Sequence, residues 1–410
     1  MTTTALAMAP QRPSPRPLIL REWTPWAGAL TLEEAARLAS DAGDILDVDL
    51  ARRGGIVVRP KSWVGRLRTT DFDVSIEAKV PVESILAMLG EAFDGVTFSK
   101  PVGVGGHHTI EDLIVRAFLA DAEALLRQGL HRIYTEESDT LSAVRGRVLV
   151  RETTDLFLRG VPRVACRFEE FTPNTIENQV LAAALRAVAM NTVLQPAHRQ
   201  MARRLAVDFV DVDEVRTIDV AGIRRLGLDV RTRHYRRPLA LAEMILRAMG
   251  FQERHGTWRA SGFLINMNQL FETVLSNRFV RGLTPRGFTV ERQFPSSLDV
   301  GGKIAIRPDI IVRERRGQVI IVDAKYKDAT TPAPADLYQM VAYCRALGVT
   351  DAVLIDVATG PERHDVIRDG VIVIHTLHVD LSSMTTLSAT VDQAIDRVAA
   401  LLSPGSVATT

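Results

Sequence analysis

The sequence predicts a mixed, multi-domain α+β protein: a β-rich N-terminal domain with helices, then a C-terminal mixed sheet flanked by helices. Three observations carry this. The chain has 410 residues, room for two or three domains of roughly 100 to 200 residues each. Its 46% hydrophobic and 24% charged residues are the balance of a globular protein with a full core. Its apolar pattern also switches repeatedly between a period of two and a period near 3.6.

The elements follow in order. Residues 1–17, rich in proline, form a flexible leader without the apolar run of a secretory signal. Leu18 to Glu22 reads as a strand. Thr31 to Ala42 reads as a helix capped by Thr31, with Glu34 at capping-box spacing. Ile45 to Val80 is strand-like, with a turn at Gly54-Gly55 and alternation at Phe72, Val74 and Ile76. Val82 to Phe93 is a helix, and the loop GVGGHH leads to a long helix from Thr109 to Gln128. The stretch SAVRGRVLVRET around Arg145 and Arg147 reads as a strand. Asn174 to Ala206 and Leu239 to Met249 are helical, and Phe251 to Gly262 is a polar linker. The expected blocks are 18–165 (β-rich, partner-docking), 166–258 (mainly helical), 259–404 (the C-terminal domain) and a tail at 405–410.

Several classes of protein are excluded. No stretch approaches the roughly 20 apolar residues of a membrane helix. Two distant cysteines, Cys166 and Cys344, make neither a disulfide framework nor a zinc cluster, which fits a cytoplasmic setting. No GxxxxGK[ST] phosphate loop is present, so the chain is not itself a P-loop motor. A net charge of +1 leaves little bulk attraction for nucleic acid. Any DNA-directed activity then needs locally concentrated charge or a partner.

The chemistry concentrates in IAIRPDIIVRERRGQVIIVDAKYKD, Ile304 to Asp328. Two β-branched strands, Ile304 to Arg313 and Val319 to Val322, flank a turn at Arg315-Arg316-Gly317, with glycine at the left-handed position. With residue 316 central, Glu314 faces Gln318 and Asp309 faces Asp323. Carboxylates opposed this closely repel unless a cation lies between them. Lys325, two residues beyond Asp323, shares its face. Two carboxylates and a lysine converging on one spot suit phosphodiester hydrolysis with Mg²⁺ (or Mn²⁺), held by Asp309, Asp323 and the backbone carbonyl of Ala324. Lys325 would orient the attacking water or stabilise developing charge; as a base it would need a pKa far below about 10.4. An Asp-x-Lys alone is common on strands, where it forms surface ion pairs. A Pro-Asp fourteen residues before Asp-Ala-Lys, across a glycine turn, is much rarer.

Helices flank the hairpin. FLINMNQLFETVLSNRF places Leu264, Phe271 and Leu275 on one stripe, with Glu272 at its edge, either solvated or reaching the site. ADLYQMVAYCRALG points Leu337, Met340, Val341, Cys344 and Leu347 at the core. Gln339 and Tyr343 share another face, where they brace the site, touch substrate or simply form a polar shoulder. Arg224, Arg225, Arg231, Arg233, Arg236 and Arg237 form either a solvated face or a contact for DNA or a partner.

MNQLFE (267–272), RPDIIV (307–312), IIVDAKYK (320–327) and DLYQMVAY (336–343) resemble the McrC family, the nuclease subunit of the McrBC modified-cytosine restriction system. IVVRPKSWVGRL (56–67), LSAVRGRVLV (141–150) and FEEFTPNTIENQVL (168–181) resemble its upstream segments. The resemblance implies a PD-(D/E)xK, restriction-endonuclease-like domain with Glu272 as a fourth catalytic member beside Asp309, Asp323 and Lys325. Gln339, Tyr343 and Lys327 would act as bracing or DNA-contacting residues. It also implies a separate McrB-like AAA+ GTPase partner, stimulated by the N-terminal part, and double-stranded, modified DNA as substrate. Arg145 and Arg147 are candidate contacts to that motor. The alternatives are a non-catalytic DNA-binding adaptor of the motor and a stand-alone repair nuclease.

Overall fold

The computed structural model describes residues 14–51, 54–93, 96–98, 109–213, 222–223, 226–250, 261–315, 317–327, 333–358, 363–366 (backbone only) and 370–403. By its contacts the chain divides into two units, Met1–Ile110 with Gln252–Thr410, and Glu111–Phe251. This grouping departs from the boundaries expected at 165 and 258: the first 110 residues fold with the C-terminal part, and the second unit is inserted between them.

The first unit begins with strands β1 (Arg16–Arg21) and β2 (Trp26–Gly28). Helix α1 (Leu32–Ala42) starts in the expected capping box: Thr31 Oγ1 accepts from the Glu34 N–H, and Glu34 returns a carboxylate to the Thr31 N–H. Strands β3 (Leu46–Leu50), β4 (Ile56–Pro60), β5 (Trp63–Arg68) and β6 (Phe72–Glu77) follow, then helix α2 (Val82–Ala92). Phe72, Val74 and Ile76 of β6 are buried, as their alternation requires. The GVGGHH loop lies outside the described residues.

The inserted unit holds α3 (Ile110–Gln128), β7 (Ile133–Leu141), β8 (Arg147–Val148), α4 (Val150–Leu158), β9 (Val164–Thr172), α5 (Ile176–Met190), α6 (Pro196–Ala206) and α7 (Arg236–Met249). The strand expected through SAVRGRVLVRET stops at Val148 and becomes α4. The helical run from Asn174 is broken before Pro196, whose ring fits only a first helical turn. The three strands form an antiparallel ribbon in the order β7-β9-β8. Tyr235, fully buried, joins the helices to the ribbon's base: its hydroxyl donates to Asn178 Oδ1 at 2.8 Å and accepts from the His131 N–H at 2.7 Å.

The chain re-enters the first unit at β10 (Ser261–Asn266). The sequence pattern ends the linker at Gly262 and opens the next helix at Phe263. Instead Ser261–Asn266 pair antiparallel with β5, completing a sheet in the order β1-β6-β5-β10. Gly65 makes this pairing possible: its φ is +126°, and a Cβ there would lie 2.2 Å from the Phe263 carbonyl oxygen. Asn266 caps α8 (Met267–Leu283), accepting from the Gln269 N–H at 3.1 Å.

After α8 come β11 (Thr289–Arg292), β12 (Ser296–Ser297), β13 (Ala305–Ile306), β14 (Ile310–Arg313), β15 (Val319–Lys325), α9 (Pro334–Leu347), β16 (Asp351–Val357), β17 (Arg363–Val366), β18 (Val373–Val379) and α10 (Met384–Leu402). Six of these strands form the mixed sheet, in the order β11-β14-β15-β16-β18-β17. β15, β16 and β18 run parallel; the other pairings are antiparallel. Met340, Tyr343 and Cys344 of α9 pack on Ile321, Leu354 and Ile374 of the sheet. Helices α8 and α10 also pack with these strands. This is the expected sheet flanked by helices.

Candidate active site

The hairpin register is the expected one: Ile310 pairs with Val322, Ile311 with Ile321 and Arg313 with Val319. The Glu314 N–H bonds to the Gln318 carbonyl at 2.9 Å. Gly317, with φ +95°, occupies the left-handed corner. The strand expected from Ile304 is interrupted, however. Pro308 has no N–H to give to a ladder, and β14 begins only at Ile310, leaving Asp309 on the stretch just before it.

Asp309 is held from three sides. Its Oδ2 accepts from the Ala324 N–H at 2.9 Å, which joins the two arms of the hairpin through the carboxylate. Its Oδ1 accepts from Gln293 Nε2 at 3.1 Å, and its carbonyl accepts from the Gln293 N–H at 2.7 Å. Gln293 has φ +48°, a left-handed conformation that costs a non-glycine residue about 1 kcal/mol or more. No sequence signal marked Gln293.

Asp323 is 1% exposed. Lys325 Nζ forms an ion pair with Asp323 Oδ2 at 2.6 Å, and this buried oxygen makes no other hydrogen bond among the described residues. Burial, then the charge of Glu272, pushes Asp309 up to about 7. Burial, then the charge of Asp309, pushes Asp323 up to about 7. Glu272, half-buried on α8, is therefore brought to Asp309. Burial disfavours the charge on Lys325, but Asp323 and Asp309 outweigh it and its pKa is raised. With no metal bound, Lys325 therefore stands as an ammonium against the two carboxylates.

The outer residues have partners within the fold. Tyr343 is buried on the core side of α9, and Gln339 Nε2 donates to its hydroxyl at 2.7 Å. Burial and then the charge of Asp323 raise the Tyr343 pKa, which places its ring beside the carboxylates. Lys327 binds both oxygens of Asp336, at 3.0 and 3.1 Å, and so ties β15 to the start of α9. Arg237 is engaged inside its own unit with Asp121, while Arg231, Arg233 and Arg236 are exposed. Arg145 pairs with Glu170 at 2.5 Å and lies 4.1 Å from the Phe168 ring centroid; Arg147 is exposed on β8. Arg224 and Arg225 lie outside the described residues. Sequence reasoning also missed an Asp356–His378 pair, which sits on the neighbouring parallel strands in register with Lys325.

A divalent cation fits this donor set. Asp323 offers a buried carboxylate oxygen with no hydrogen bond among the described residues beyond its Lys325 ion pair, and Asp309 lies against it with repulsion that a cation would relieve. A strand residue turns its N–H and C=O to the same side. Because the Ala324 N–H points at Asp309, the Ala324 carbonyl faces the same space. No three His, Cys, Asp or Glu side chains among the described residues are already arranged as a metal cage.

Fold and candidate site together define a mixed α/β protein with two carboxylates and a lysine gathered at one hairpin. A family model, the McrBC 5-methylcytosine restriction system component, matches residues 58–355. The chain belongs to that family.

Two solved structures are similar to this chain, and the first shares its fold. One is a chain from the refined half-complex of the tetradecameric assembly of Thermococcus gammatolerans McrB AAA+ hexamers with bound McrC. It is 16% identical, with a TM-score of 0.59 over 93% of this chain and 100% of that one. The other is a chain from the cryo-EM structure of the Thermococcus gammatolerans McrBC complex, 17% identical, with a TM-score of 0.45 over 65% of this chain and 88% of that one. No curated protein matches this chain. No helix among the described residues is long and apolar enough to cross a membrane.

Proposed function

We propose that this chain is the McrC-type, metal-dependent DNA endonuclease subunit of a modification-dependent restriction system, with a PD-(D/E)xK active site, working with a separate AAA+ GTPase. The observation that carries the proposal is the hairpin register, which brings Asp309, Asp323 and Lys325 to one place with Glu272 beside them. Family membership supports the system, and a solved chain of like fold comes from an assembly of AAA+ hexamers with bound McrC.

Asp309, Asp323 and the Ala324 carbonyl would hold Mg²⁺ or Mn²⁺. When bound, the ion supplies charge relief at phosphate oxygens and a more acidic water. The chain's own residues do the rest. Gln293 and the Ala324 N–H fix the Asp309 carboxylate. Burial fixes Asp323. Lys325, kept charged, sets an ammonium donor against the phosphate or the attacking water, and Gln339 orients the Tyr343 hydroxyl behind them. With a net charge of +1 the chain depends on its partner for delivery to DNA.

The test mixes the chain with the P-loop protein encoded beside it, methylated plasmid, Mg²⁺ and GTP. Wild type cuts and Asp323→Ala does not. Equal cutting by both refutes the site. No cutting by either, with GTP turnover stimulated by both, makes the chain an adaptor.

A further inference from the structure

The residue after Lys325 is Tyr326, large, aromatic and 1% exposed. Its hydroxyl donates to Glu22 Oε2 at 3.1 Å. Lys79 Nζ stands 4.6 Å from its ring centroid, and the ring of Phe271, the neighbour of Glu272, lies 6.1 Å away. Tyr326 thus touches the helix turn that bears Glu272 and sits on the strand end that bears Lys325.

What holds Tyr326 comes from the other end of the chain. Glu22 follows β1 and is 2% exposed; its N–H bonds to the Glu77 carbonyl at 2.9 Å, extending the pairing with β6. The Lys79 N–H reaches Glu22 Oε2 at 3.5 Å, and Glu22 Oε1 is buried without a hydrogen bond. The next residue, Trp23, has φ +59°, so the backbone is strained where it delivers Glu22. Burying a glutamate, with a half-buried lysine whose Nζ is covered, is costly, and apolar side chains of the same volume are often at least as stable. The fold bears two such groups, and a left-handed tryptophan, at one tyrosine hydroxyl and ring.

We propose that Glu22 and Lys79 are positioning residues of the cleavage site: they hold Tyr326, and through it the placement of Lys325 and Glu272. The proposal rests on the nuclease reading. It implies that the site is not contained in residues 259–404, because the N-terminal sheet supplies part of its support.

The test uses the full chain with its AAA+ partner, methylated plasmid and Mg²⁺. Cleavage rate at saturating protein, DNA affinity and melting temperature are measured for wild type, Tyr326→Phe, Glu22→Ala and Glu22→Gln. Tyr326→Phe and Glu22→Ala should lower the rate about ten- to a hundredfold, since small misplacements are enough for that, while DNA affinity holds. Glu22→Gln keeps an oxygen for the tyrosine hydroxyl and should recover part of the loss. If Glu22→Ala does not fold, Tyr326→Phe, which removes a single oxygen, decides. Wild-type rates in Tyr326→Phe, or glutamine no better than alanine, overturn the proposal alone. A wild-type chain that never cuts overturns the nuclease reading and this inference with it.

Discussion

Replacing Asp323 by asparagine should make the metal-free protein progressively more stable, relative to wild type, as the pH rises from 5 to 8. In the fold Asp309 and Asp323 both titrate near 7, against an ordinary 3.8, because they are buried and because acidic neighbours face them. Between those two values the folded state binds more protons than the unfolded one. Stability is therefore lost as the pH rises through that window and is flat above it. A shift of about 3 pH units is worth roughly 4 kcal/mol for one carboxyl, and the two share one repulsion, so it counts once. About 2 to 3 kcal/mol of this accrues between pH 5 and pH 8. The ion pair with Lys325 forms only as Asp323 ionises, and its favourable charge is already included in that raised pKa, so the slope is the readout. Denaturant unfolding of chelator-treated wild type and Asp323→Asn at pH 5, 6, 7 and 8 gives that slope. A stability difference that stays constant or shrinks with pH refutes the coupled-carboxylate account. Adding Mg²⁺ at pH 8 should stabilise wild type and leave the variant nearly unmoved.

Lys325→Met should abolish plasmid cleavage while leaving DNA retention in a filter-binding assay within a few-fold of wild type; a cutting variant excludes the lysine from the chemistry. Gln293→Gly should relieve backbone strain of about 1 kcal/mol yet release Asp309. The expected outcome is a melting temperature no lower than wild type with a higher Mg²⁺ requirement for cleavage; an unchanged requirement removes Gln293 from the site. Gly65→Ala forces a Cβ against the Phe263 carbonyl in a left-handed backbone. It should cost roughly 2 to 5 kcal/mol, read by thermal unfolding, whereas Gly317→Ala, with open space around it, should cost only about 1 to 2 kcal/mol.

The site was legible where chemistry and local geometry coincide. A glycine at a hairpin corner fixes register, register decides which side chains face each other, and Asp309, Asp323 and Lys325 follow. Contacts made across long separations were not legible. Gln293 is an ordinary polar residue until its backbone turns left-handed and its amide meets Asp309. FLIN in β10 is a short apolar run beside a helix, and only its pairing with β5 makes it a strand. Arg237 looked available for phosphate because nothing nearby in sequence revealed Asp121. The ribbon strand β7, IYTEESDTL, is too polar to announce itself, since it lies largely exposed and needs little apolar patterning.

The pairing of β5 with β10 also sets a clock on synthesis. Leu67 meets Gly262 roughly 195 residues later, which at about 5 to 20 residues per second is a wait of about 10 to 40 s on a translating ribosome. The inserted unit emerges during that wait and is free to fold first. The opening strands must stay unsatisfied, with an open edge beside β5, until those roughly 195 residues have been made. A chaperone that shields that edge would have its binding site at the nascent β5, and release would coincide with the arrival of the strand that leads into α8 and the six-stranded sheet.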